Sequence, residues 1–170
     1  MMLRNALLFS TLISVHFVSQ VQAQDVALLS PTKILKLVTN RIRGFQQIVD
    51  PKAIEMKIGT LTYTLCEKNF NDGKRTVKIL LFDFKEASIM YNQATGKWNN
   101  QPIIESDSLV ERSVIIRNCK GWESFNKQNQ TSQMFLGIYD RFFLTMTGEN
   151  LKLDELRNIV ELFPLEEFPK

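Results

Sequence analysis

The apolar positions in the last third of the chain change period once. Between Ser132 and Phe163, Met134, Leu136 and Ile138 alternate with Phe135, Gly137 and Tyr139. Phe142, Leu144 and Met146 then alternate with Phe143, Thr145 and Thr147. A period of two is that of a β-strand. After Gly148-Glu149-Asn150, the residues Leu153, Leu156, Ile159, Val160 and Phe163 recur at three and four. That spacing places them on one face of a helix. Two strands followed by a one-sided helix predict a unit that hides its apolar surface by packing helix on sheet.

The upstream pattern adds to that unit. Ser30-Pro31 is a helix start, with Ser available as a cap and Pro at the first helical position. Ile34, Leu35, Val38, Ile42, Phe45 and Val49 follow at helical spacing, and Pro51 stops the run. This predicts one long N-terminal helix with a basic outer face; its sharper reading is a helix lying on an anionic membrane surface. Ile54, Met56 and Ile58 alternate, and Leu61, Tyr63 and Leu65 do so in the opposite phase. A bulge at Gly59 would restore one inward face. Asn71-Asp72-Gly73-Lys74 is a turn signal, and Arg75 to Phe84 returns as a strand apolar on both sides, which predicts a central position. Lys85 to Tyr91 reads as a short helix ended by Gly96, Trp98 to Pro102 as a loop, and Ile103-Ile104 as an edge strand. Val110 to Asn118 is a strand, Gly121 a break, Trp122 to Phe125 another strand, and Asn126 to Thr131 a hairpin tip. Long βαβ alternation is missing. The expected class is α+β, a mostly antiparallel sheet carrying an N-terminal and a C-terminal helix.

Composition bears on where the protein works. Arg4, the apolar run Ala6 to Val18 and the branched Val21 and small Ala23 of Val21-Gln22-Ala23 read as an export signal, so residues 1–23 are expected to be removed and 24–170 to form one domain. The alternative is an N-terminal membrane anchor, for which that run is short. The expected location is exported, periplasmic or secreted, with no stable membrane span after cleavage. The chain has 21 basic and 18 acidic residues, and removing the signal takes only Arg4 from either count. So mild an excess, without a basic cluster, gives no case for nucleic acid.

Chemistry is marked mainly by what is missing. The single histidine, His16, lies in the signal segment, so the remaining chain cannot build Ser-His-Asp or Cys-His machinery or a His-dependent zinc site. No phosphate-cradling loop, CxxC or GxSxG occurs, and no cofactor or metal is expected. The carboxylate pairs Glu105/Asp107, Asp154/Glu155 and Glu166/Glu167 lie near turns or helix ends and read as solvated surface. Asn129-Gln130-Thr131 fits a glycosylation acceptor. Cys66 and Cys119 are an even pair in an exported chain, readable as one disulfide or as two free buried thiols. Trp98 and Trp122, in polar surroundings beside glycines, are candidates for a contact surface with Phe125, or for plugs at the rim of the core.

The stretch Cys119-Lys120-Gly121-Trp122, with Tyr139-Asp140-Arg141-Phe142-Phe143-Leu144 running to Gly148, resembles small exported bacterial proteins of unassigned role. The element order is similar to that of the Mog1/PsbP-type α+β sandwich, over about the last third of the chain. The resemblance brings no functional residues with it. The resulting expectation is a non-catalytic binding module of the cell envelope, its partner an envelope protein, a peptide or a small apolar ligand. The alternatives are a carrier holding such a ligand between sheet and helix, and a histidine-free hydrolase-type enzyme.

Overall fold

A computed structural model describes residues 27–99 and 103–170. The expected signal segment lies outside the described residues. The described residues form one nine-stranded antiparallel sheet with three α-helices: α1 (Pro31–Leu37), α2 (Ser88–Thr95) and α3 (Leu153–Val160). The strands are β1 (Gln46–Gln47), β2 (Lys52–Ile58), β3 (Leu61–Asn71), β4 (Thr76–Glu86), β5 (Ile104–Glu105), β6 (Leu109–Ile116), β7 (Cys119–Asn126), β8 (Thr131–Ile138) and β9 (Phe142–Glu149). Two meanders, β2-β3-β4 and β5 to β9, join where β4 pairs with β9. The class is the α+β expected, and β4 is central as its two apolar faces required.

The first face of the sheet carries the main core. Val77, Ile79 and Leu81 of β4 point there with Met134, Leu136 and Ile138 of β8 and Phe142, Leu144 and Met146 of β9. Helix α1 covers this face at the β2–β3 end, and α3 at the β7–β8 end. Leu156, Ile159, Val160 and Phe163 are all buried, as their spacing predicts. Glu155 closes the start of α3 by accepting from the Lys152 backbone N–H at 2.9 Å.

Three local expectations are corrected. The N-terminal helix ends at Leu37, not near Val49, and the chain is extended at Val38. The cause lies across the core. Lys68 of β3 shares the inward phase of Thr64, Cys66 and Phe70 and is itself buried. Its Nζ donates to the carbonyl oxygens of Leu35 (3.0 Å), Val38 (2.6 Å) and Thr39 (3.3 Å) and to Asn40 Oδ1 (2.7 Å). The ammonium takes the orphan carbonyls and the negative end of α1, so the helix has its partner there and does not continue. Gly59 is the turn between β2 and β3, at φ 61°, not a bulge; the register irregularity falls between Thr62 and Thr64. Gly121 does not break a strand but sits within β7, where an added Cβ would lie 2.2 Å from the Phe135 carbonyl oxygen. The break is the turn at Arg117 and Asn118, both left-handed.

Cys66 and Cys119 are both free and buried, which corrects the disulfide reading. They sit on β3 and β7, with β4, β9 and β8 between them. Four strand spacings come to roughly 19 Å along the sheet, against a limit of about 7 Å between the α-carbons of a bridged pair. Unfolded, unreduced protein should therefore release two thiols to Ellman's reagent, and native protein should react slowly at both. A second outcome concerns the lysine: Lys68→Met strips the donor from the end of α1 and should lower stability by about 2–3 kcal/mol. A urea midpoint equal to that of the parent would contradict that role.

Candidate functional site

The buried charges come first, because they must be separated from any site. Asp83 lies in phase with Val77, Ile79 and Leu81 and is fully buried. Arg141 grips it with two hydrogen bonds, Nε to Oδ1 at 2.8 Å and Nη2 to Oδ2 at 2.7 Å. The same carboxylate accepts from the backbone N–H groups of Leu29 (2.9 Å) and Lys85 (3.0 Å). Thr64 donates to the Leu29 carbonyl at 2.6 Å and Arg141 to that of Ala27 at 2.9 Å, so the segment before α1 is tied to the sheet. Glu123, also fully buried, accepts from Arg112 at 2.6 Å and from Nε of Arg157 on α3 at 2.9 Å. Among the described residues, no buried side-chain nitrogen or oxygen lacks a partner. These groups hold elements together.

The second face of the sheet differs. Helix α2 and a following 3-10 turn, Gly96–Asn99, cover β3, β4 and β9 through Met90 and Tyr91, packed on Tyr63, Phe82 and Phe84. Beyond them the sheet carries a row of aromatic rings. Phe82 of β4 is paired with Phe143 of β9, and Phe135 of β8 with Trp122 of β7. The Phe143 ring stacks on Phe135 at 6.3 Å and 13°, and Trp98 stacks on Phe143 at 5.9 Å and 23°. A hollow of about 320 Å³ opens over this row, with Trp98, Trp122, Phe135 and Phe143 on its walls and Glu111, Ser124 and Gln133 among them. Ser124 donates to Glu111 Oε1 at 3.2 Å.

A second hollow, of about 480 Å³, shares Trp98 with the first. Tyr91, Asn92 and Thr95 of α2 form one wall. The opposite walls are the β6–β7 turn at Arg117-Asn118, with Cys119 and Lys120, and the β8–β9 turn at Tyr139-Asp140. In each turn both central residues have positive φ, the geometry of a two-residue hairpin turn. Tyr91 seats α2 on the sheet at Gly137, where an added Cβ would lie 2.4 Å from the phenol oxygen. Burial first, and then the neighbouring Asp140 charge, push the Tyr91 phenol up to about 12. Burial likewise raises the Cys119 thiol. At neutral pH Tyr91 is a hydrogen-bond donor and Cys119 a thiol, so neither is a ready base or nucleophile.

The sequence candidates therefore divide. Trp98 and Trp122 meet in one hollow. Phe125 does not join them: it alternates with Trp122 along β7 and pairs with Ser132, whose hydroxyl reaches the Leu151 carbonyl on the first face. Glu105 and Asp107 are exposed, Asp154 pairs with Arg157 and Glu166 with Arg117, so these carboxylates are surface partners. Sequence reasoning missed Tyr91, Glu111, Gln133, Phe135 and Phe143. A signal existed for the last two, which place rings at the outward positions of β8 and β9. Among the described residues, no three or more His, Cys, Asp or Glu side chains gather as metal ligands, and no helix is long and apolar enough to cross a membrane.

The raised phenol fixes a pH dependence. A folded-state value above the unfolded 10.0 contributes stability that is complete below pH 10 and is lost as pH rises toward 12, by up to about 2 kcal/mol. An alkaline absorbance titration should show a phenolate step near 12 that Tyr91→Phe removes.

Comparison of the chain with protein-family models, with curated proteins and with solved structures finds no match.

Proposed function

We propose that the chain is an exported, non-catalytic binding module of the cell envelope, and that its contact surface is the groove over the second face of the sheet. One observation supports this most. The half-buried Trp98 shares a hollow with the buried Trp122 at the edge of the surface that α2 covers, and two hollows meet at Trp98. Half-buried aromatic rings with polar neighbours are the surfaces that anchor partners. The carrier reading has less behind it. The layer between the sheet and helices α1 and α3 is filled by side chains such as Ile34, Phe70, Leu81, Met134 and Phe163, each at most 1% exposed. The enzyme reading also has less, because the buried carboxylates are consumed by arginines and backbone, and Glu111 and Asp140 stand in separate hollows.

The test uses residues 24–170 as bait in an extract of the exporting cell's envelope. The groove variant Trp98→Ala should lose the captured partner, protein or small molecule, by tenfold or so, while Ile58→Lys on the exposed edge of β2 keeps it. Equal capture by the parent and Trp98→Ala would remove the groove from consideration.

A further inference from the structure

The walls of the 320 Å³ hollow narrow the ligand class, on the reading of the groove as the binding site. We propose that it holds an uncharged oligosaccharide, with a sugar ring laid on the aromatic row and its hydroxyls met by Glu111, Ser124 and Gln133. A sugar ring has a weakly polar C–H face and a rim of hydroxyls that both donate and accept. The hollow offers the matching pair of surfaces. The rings of Phe143, Phe135 and Trp98 lie within 23° of parallel where they stack, giving an apolar wall of aromatic carbon. Beside it stand a carboxylate, a hydroxyl and an amide. Among the described residues, Glu111 Oε2 and the Gln133 amide take no protein hydrogen bond, so both are open to a ligand.

The competing classes each meet an obstacle on the same walls. A phosphate or carboxylate ligand would lie beside Glu111 with no cation lining this hollow among the described residues. A lipid chain would cover Glu111, Ser124 and Gln133 without replacing their water, which is costly. An extended peptide gains its affinity from a free strand edge. The floor here is β7, β8 and β9, each hydrogen-bonded on both sides, and β6, whose outer edge at Glu111 is taken by β5. A sugar satisfies the carboxylate, hydroxyl and amide and still uses the rings. The hollow is large enough for a small ligand, and past Trp98 the second one continues with Asn92, Thr95 and Asn118 and with the charged Arg117, Lys120 and Asp140.

Titration of isotope-labelled 24–170 with chitotetraose, cellotetraose and maltotetraose tests this, with palmitate and inorganic phosphate as comparators. At least one tetrasaccharide should shift the indole N–H resonances of Trp98 and Trp122 saturably, with a Kd between about 10 μM and 1 mM. Glu111→Gln and Gln133→Ala should each weaken it by about three- to tenfold, with the circular dichroism spectrum unchanged. Either no saturable shift from any of the three sugars at about 10 mM, or full affinity in both polar variants, overturns the proposal. If palmitate or phosphate moves the two indoles and no sugar does, the ligand class falls and the groove stands. If no probe moves them and Trp98→Ala still captures the envelope partner, the class and the groove fall together.

Discussion

The pairing of β4 with β9 is the constraint on which the molecule depends. Residues 76–83 lie against 142–149 in unbroken register, with residues 84–141 between them. Without that joint the chain would be two separate meanders, each with a raw edge and half a core. With it, Val77, Ile79 and Leu81 sit beside Leu144 and Met146, and both helical layers have one continuous surface to cover. Closing so long a loop costs conformational entropy, and the apolar burial of two fully covered strands offsets it. The ends of the joint are fixed by polar contacts. Asp83 and Arg141 close one end, and Thr76 meets Glu149 at the other, at 3.0 Å.

Buried charge is used throughout to locate elements that apolar packing alone would leave free to slide. Lys68 fixes where α1 stops, Glu123 fixes α3 against β6 and β7, and Asp83 fixes the strand-like lead into α1. Each such group is costly to desolvate and is repaid only when every hydrogen bond is made. Among the described residues, each buried side-chain nitrogen and oxygen has at least one hydrogen-bond partner. The arrangement specifies geometry more than it adds stability, since directional bonds accept few alternatives whereas methyl groups accept many. It also keeps reactive groups away from solvent, which leaves the second face as the part of the surface with uncommitted rings and polar atoms.

The sequence made some of this legible. Alternation in β4, β8 and β9 and the three-four spacing in α3 named the central strands and the packing face of the helix, because there burial is one-sided or complete and the period is clean. The first helix was misread because Ile42 and Phe45 keep helical spacing by coincidence; the decisive residue, Lys68, lies thirty positions downstream in a strand, where periodicity in the helix has no access to it. Gly121 was misread because a glycine breaking a strand and a glycine admitting a neighbouring carbonyl look alike in one dimension. The two tryptophans were legible as candidates but their meeting was not, since it depends on which strands are neighbours. Phe125 was linked to them by proximity in sequence and is separated from them by the thickness of the sheet.

Cys66 and Cys119 have a consequence of a different kind. Both thiols belong to the main core, Cys119 at its border with the second hollow, and burial pushes that of Cys66 up to about 11. No covalent tie crosses the sheet, so the architecture rests on contacts alone. With both cysteines free, its packing depends on no thiol oxidation, and a change of redox conditions leaves the joints of the fold untouched.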